Sequence, residues 1–157
     1  MSSKSTATSE NALSKEEIDE RLNATALAKM ATHRADGMIH LTPIWFVWDG
    51  ECFQHTLGAG RVHLKNLAAN PNVSLLVDED PRLQQGLAAG AWAIMARGTA
   101  ELSRDEDLIR EVTHKVLEKA LGREDADQYL EPIMAEGRTI VTIKPSAWLT
   151  WDYNKAG

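Results

Sequence analysis

The chain has 157 residues, 43% of them hydrophobic and 25% charged, with a net charge of −6. That length suits one domain with a core of its own, and the acid excess argues against a general nucleic-acid binder, which carries a basic surplus. Cys52 is the single cysteine, so an intramolecular disulfide or a cysteine metal cluster is excluded.

The lone thiol fits a reducing cytoplasm. No apolar run approaches the ~20 residues of a membrane span, and the polar N-terminus lacks the apolar core of a secretion signal. The expectation is a cytoplasmic protein with neither membrane nor nucleic acid as partner. Any anion site must be a local basic pocket on an acidic surface.

Residues 1–12 are Ser/Thr-rich and read as a disordered tail, leaving 13–157 as one domain. Ser14 with Glu17 forms a capping box, which predicts a helix to about Leu22. Thr25 to His33 is the first strand and Ala35-Asp36-Gly37 its turn. Met38 to Trp48 is an unbroken run of strand formers, closed by an Asp49-Gly50 hairpin signal; Glu51 to Leu57 is the return strand. These three strands are expected to form an antiparallel meander. Both side-chain parities of Met38–Trp48 are largely apolar, which predicts burial on both faces by a helix, a ligand or a second subunit. Pro43 cannot donate to a ladder and predicts a local bulge or break.

Gly58-Ala59-Gly60 then frees the backbone, and Arg61 to Ala69 is a short basic helix stopped by Asn70-Pro71. Backbone N–H groups, the helix dipole and basic side chains together favour an anion such as a phosphate there. Asn72 to Asp78 is a fourth strand, 79–90 a loop or partial helix, and Ala91 to Leu102 a fifth strand with Gly98 as a bulge. Ser103 and Glu106 repeat the capping-box pattern. The helix that follows carries Leu108, Val112, Val116 and Ala120 as one apolar stripe and ends at Gly122. Glu124 to Ala135 is a shorter helix interrupted by Pro132, and Arg138 to Trp151 a last strand broken by Pro145. About six strands with helices inserted late predict a small antiparallel barrel of the α+β class, mostly β.

Arg61 and Lys65 stand on one helix face beside the Gly loop and are the first candidates for an anion site. His40 and His55 are placed to face each other across the hairpin, but without a nearby carboxylate they are a weak metal signal, and no metal is expected. Cys52 has no partner pattern for a nucleophile and reads as a small buried apolar residue. Trp45, Trp48, Trp92, Trp148 and Trp151 are expected mostly in core or interface.

The order of these pieces is familiar: a strand, an Asp-Gly turn, Thr-Pro-Ile-Trp-Phe-Val-Trp-Asp-Gly, a strand, Gly-Arg-Val-His-Leu-Lys-Asn-Leu, Asn-Pro and Val-Ser-Leu-Leu-Val. Over residues 24–101, with a weaker echo at 144–155, it resembles the pyridoxamine 5′-phosphate oxidase-like superfamily, closest to its flavin/deazaflavin oxidoreductase branch. The resemblance implies a split β-barrel homodimer with FMN, or alternatively F420, in clefts at the subunit interface. It implies a ring lying along His40, Thr42, Pro43, Ile44 and Trp45. It implies a phosphate held by Arg61, His63 and Lys65, with Asn66 nearby and Thr56 ending the strand that leads in. Trp148 or Trp151 of the partner subunit would cover the ring.

Two departures stand out. The family often has Lys where this chain has His63, and histidine is only partly charged near neutral pH. The C-terminal Arg-x-His that holds the phosphorylated substrate of the vitamin-making oxidases is missing; the chain reads Trp151-Asp152-Tyr153-Asn154-Lys155 instead. The resemblance therefore implies an FMN- or F420-dependent oxidoreductase acting on a small organic substrate other than pyridoxamine phosphate. The alternative is a non-catalytic flavin or haem carrier of the same fold, with His40, His55 or His63 as an axial ligand. The absence of a visible catalytic dyad suits a cofactor that performs the difficult step itself.

Overall fold

A computed structural model describes residues 8–155. Of the expected tail, residues 1–7 lie outside that range. Asn11 is buried, its carbonyl accepts from the Asp152 N–H at 2.9 Å, and the Leu13 N–H donates to Thr150 Oγ1 at 2.9 Å. Helix α1, Lys15–Ala24, starts on the expected capping box: the Glu17 N–H donates to Ser14 Oγ and the Ser14 N–H to the Glu17 carboxylate. It buries Ile18 and Leu22.

The strands are β1 (Leu27–His33), β2 (Ile39–Trp45), β3 (Val47–Trp48), β4 (Phe53–Gly58), β5 (Asn72–Glu79), β6 (Trp92–Ser103) and β7 (Arg138–Asp152). All pairings are antiparallel, in one sheet of order β2-β1-β5-β6-β7-β4-β3. The sheet curls into a split barrel around Met30, Phe46, Phe53, Leu75, Ile94 and Ile143. A smaller apolar cluster joins Ile109, Val112 and Val116 to Ile140.

The expected three-strand meander does not form. The Met38–Trp48 run leaves regular pairing at Phe46, and its two parts go to opposite ends of the sheet, β2 beside β1 and β3 beside β4. Phe46, fully buried, is the crossing point. Pro43 breaks nothing: it pairs with Lys29 in a terminal strand, where a missing N–H is harmless if it faces away from the ladder. Nor is β2 covered on both faces within one chain, since Ile39, Leu41 and Trp45 are exposed, Leu41 by 67%.

Helix α2 spans Val62–Ala69, and the 79–90 stretch holds α3, Arg82–Gln85, followed by a 3₁₀ turn at Leu87–Ala89. Helix α4, Glu106–Leu121, is capped by Asp105, whose side chain accepts from the Leu108 N–H, and not by Ser103; a carboxylate is the stronger acceptor and sits one residue before the helix. Its buried face is Ile109, Val112, Thr113, Val116 and Leu117, rotated from the expected stripe so that Leu108 and Ala120 are its flanks. Helix α5, Arg123–Ala135, contains Pro132 without interruption. β7 likewise runs through Pro145, because the register shift between Arg97 and Gly98 leaves Ser146 as the extra residue of a bulge. No described helix is long and apolar enough to cross a membrane.

Gly98 shows why the bulge needs a residue without a side chain. A Cβ there would lie 2.2 Å from the Lys144 carbonyl oxygen. Gly98→Ala is expected to lower unfolding free energy by about 2 kcal/mol or more through this backbone clash. Urea denaturation followed by tryptophan fluorescence measures it, and a midpoint equal to that of the parent would contradict it.

Candidate functional site

The sheet's free ends meet at a seam, with β2 as one lip and the end of β4 as the other. A cleft of about 290 Å³ lies there, lined by Thr42, Pro43, Ile44 and Trp45 on one side and Thr56, Leu57 and Gly58 on the other. Both parities of β2 touch it, as when a strand meets a cavity edge-on. Because β2 is terminal, the N–H and C=O groups of its outer edge have no strand partner and can bond a ligand. α4 closes the cleft with Thr113, Val116 and Leu117, and α5 with Ile133.

Two guanidinium groups converge over Gly58. A Cβ on that residue would lie 3.2 Å from Arg138 Nη1 and 3.9 Å from Arg61 Nε. Arg138 is fixed by β4, with which β7 pairs: its Nε donates to Thr56 Oγ1 at 3.0 Å and its Nη2 to the Thr56 carbonyl at 3.1 Å. The Thr113 hydroxyl donates to the same Thr56 oxygen at 3.0 Å. Burial lowers the Arg138 pKa, Glu136 opposes the shift and Arg61 adds to it; a guanidinium stays charged regardless. No carboxylate lines the cleft.

His63 faces inward from α2 and is 8% exposed. Its Nε2 has no hydrogen-bond partner among the described residues, and its ring stacks on His40 with centroids 5.8 Å apart. Burial, then His40, then Arg61 push its pKa below the ordinary value, which disfavours the charged imidazolium. The residue lines the cleft, but its unpartnered Nε2 is itself buried.

The structure thus gathers Thr42, Pro43, Ile44, Trp45, Thr56, Arg61 and His63 around one cleft. His40 stands behind His63 and does not face His55, because β2 and β4 are not paired. Lys65 is exposed on a neighbouring groove. Asn66 turns inward and its Nδ2 donates to Thr32 Oγ1 at 3.1 Å, tying α2 to β1. Trp148 packs on Trp48 and Phe53, and Trp151 on Tyr153; neither lines the cleft of its own chain. Cys52 is half-buried, and burial followed by Asp49 raises its pKa, against a nucleophilic thiolate. Sequence reasoning missed Arg138 and Thr113. A lone arginine opening a strand after Gly137 was the available signal.

The residues fit an anionic, ring-bearing ligand: an orphaned imidazole nitrogen, an unpaired strand edge, an apolar helix wall and a guanidinium pair without a carboxylate. Comparison with known proteins agrees in kind. The model of the pyridoxamine 5′-phosphate oxidase family matches residues 14–152. The chain belongs to that family. No curated protein matches it. Among solved structures, a conserved hypothetical protein from Mycobacterium tuberculosis is 25% identical with a TM-score of 0.84, covering 96% of this chain and 92% of that one. An F420 reductase is 23% identical, TM-score 0.61, covering 83% and 94%. The haem storage protein of Vibrio cholerae is 20% identical, TM-score 0.66, covering 86% and 93%. The last two likenesses show the fold alone, and it is a fold shared by a reductase and a storage protein.

Beneath this family's barrel wall lies His55, fully buried with neither ring nitrogen partnered among the described residues. Burial first, then His63 and Arg138, push its pKa down to about 3. The unfolded imidazole takes a proton near 6.5 that the native one refuses. Its contribution is therefore full above pH 6.5 and is lost progressively as pH falls from there toward 3. His55→Leu is expected to shrink the stability difference between pH 7 and pH 4.5 by about 2–3 kcal/mol. Denaturant titrations of both proteins at the two pH values measure it, and parallel losses would remove His55 as the cause.

Proposed function

We propose that the cleft seats a flavin or deazaflavin, FMN first and F420 as the alternative. The protein is then an oxidoreductase that moves a hydride between that ring and a small unsaturated organic molecule. The convergence of Arg61 and Arg138 over Gly58, beside an unpaired strand edge, carries this reading; family membership supports it. When bound, the ring supplies the hydride chemistry. The chain's own residues bind and orient. Arg61 and Arg138 hold the phosphate with charge-assisted bonds. The backbone of Thr42–Trp45 offers donors and acceptors to the ring edge. Val116, Leu117 and Ile133 exclude water, and His63 adds a buried polar ring to the lining.

A charged hydrogen bond is worth about 1.5–3 kcal/mol. Arg61→Ala and Arg138→Ala are each expected to weaken FMN or F420 binding about tenfold or more, read by fluorescence titration. Unchanged affinity in both would remove the assignment. Mass spectrometry of the ligand released from natively purified protein decides which ring is carried. A bound flavin that neither NADH, NADPH nor reduced F420 reduces turns the enzyme into a carrier. The unpartnered ring nitrogens of His63 and His55 are what favours a haem carrier, and a Soret band would establish it.

The same reading makes the protein a homodimer, with Trp148 or Trp151 of the second copy over the ring. Met38, Ile39, Leu41 and Trp45 are exposed apolar side chains on one stretch of chain, and Trp45 also lines the cleft; exposed apolar surface beside a cleft suits an interface. Leu41→Glu is expected to shift the protein from dimer to monomer in light scattering and to weaken cofactor binding with it. A parent protein that is already monomeric at micromolar concentration contradicts this.

A further inference from the structure

A second groove, of about 790 Å³, runs along α2 and shares Arg61 and Arg138 with the cleft. Val62, Leu64, Ala68 and Leu102 give it an apolar lining, and Lys65 and Arg104 line it as well. No carboxylate lines it. The chain holds 23 acidic residues against 17 basic ones, so a cation without a partner is the exception. Among the described residues, Arg61, Lys65 and Arg104 make no ion pair or side-chain hydrogen bond, a state shared only with Arg97 and Lys144. Three unpaired cations around one apolar floor repel one another and focus a positive field into it, a cost that an arriving anion relieves. Lys65, which contributes nothing to the cleft, acquires a role here.

We propose that this groove is the substrate's subsite and that the substrate is an amphipathic anion: a carboxylate or phosphate on an aryl or alkyl frame. The anion sits between Lys65 and Arg104, and the frame lies on Ala68 and Leu102, directed toward the shared Arg61–Arg138 pair. The groove's size is that of small-molecule sites. The substrate assignment rests on the redox reading of the cleft; the ligand chemistry of the groove does not.

An acidic extension of the cofactor has the same chemistry, and the test separates the two sources. The probes are 2-naphthoate and its uncharged analogue 2-naphthalenemethanol, titrated into the full ¹⁵N-labelled chain and followed by amide shifts. Naphthoate is expected to saturate with shifts centred on Val62, Lys65, Leu102 and Arg104, and the alcohol to bind at least tenfold more weakly. Arg104→Glu and Ala68→Glu, both at exposed positions outside the cleft, are expected to weaken naphthoate tenfold or more and to leave FMN affinity unchanged. No saturable naphthoate binding, equal binding of the alcohol, or indifference to both variants overturns the proposal. An equal loss of affinity for FMN or F420, whichever binds, in Arg104→Glu assigns the groove to the cofactor and overturns it as a substrate site. Naphthoate bound by a protein that binds neither FMN nor F420 sinks the cofactor reading instead, leaving the groove's ligand chemistry standing.

Discussion

The barrel does not close between β2 and β4, and the site exists because of that gap. The chain leaves β2 at Phe46 and crosses to the other end of the sheet. One amine pins the crossing: Lys119 Nζ donates to the Phe46 carbonyl at 3.2 Å and to the Leu22 carbonyl at 2.6 Å, and lies 4.0 Å from the centre of the Phe46 ring. The Phe46 N–H bonds the Ala26 carbonyl. The end of α1, the crossing and α4 are thus tied at one point. Burial pushes the Lys119 pKa down to about 8, the consequence of seating an ammonium where only backbone carbonyls meet it. A seam fixed in this way can keep an unpaired strand edge without zipping shut or slipping register.

Local structure was legible from the sequence, and long-range pairing was not. The Ser14–Glu17 box, the stop at Asn70-Pro71 and the end at Gly122 are written in a few adjacent residues and appear where expected, while the Asp49-Gly50 turn extends through Cys52, so that the return strand starts at Phe53 and not at Glu51. The run from Met38 to Trp48 carries no breaker at Phe46. Its division depends on β1 and β4 competing for its two halves, and neither is marked in its own residues. Pro43 and Pro145 misled for a related reason. A proline's effect depends on whether its N–H side faces a partner strand, which only the sheet order decides. Half the cleft was readable because it lies between Thr42 and His63. Arg138 and Thr113 reach it from the far end of the chain through pairing with β4 and packing of α4.

Electrostatics explains why the departure at His63 need not empty the cleft. A lysine on α2 would add a charge close to Arg61 and Arg138, in a pocket where burial already strains the second guanidinium. A buried imidazole, whose charged form burial disfavours, lessens that repulsion. The positive charge is held by Arg138, a residue anchored through Thr56 and so better defined than a helix-surface amine. Thr56 is thereby the pivot of the site: its hydroxyl and carbonyl fix Arg138, and its hydroxyl also receives Thr113 from the closing helix.

β2 gathers these constraints into one strand. One edge pairs with β1, the other borders the cleft, Ile44 faces the core, and Ile39, Leu41 and Trp45 face outward. An ordinary half-exposed strand alternates apolar and polar residues because one face meets water. β2 inverts that pattern in its first half: Ile39 and Leu41 are exposed, and His40 and Thr42 between them are the half-buried positions. Exposed apolar side chains gathered on one strand beside a cleft are what an interface presents. The proposed second copy covers them, and at Trp45 it would lie against the bound ring, so that dimer and cofactor each bury apolar surface the other leaves exposed. Binding of one is then coupled to the other by that shared area. On the proposed dimer with its cofactor bound, none of the four sides of β2 would face water.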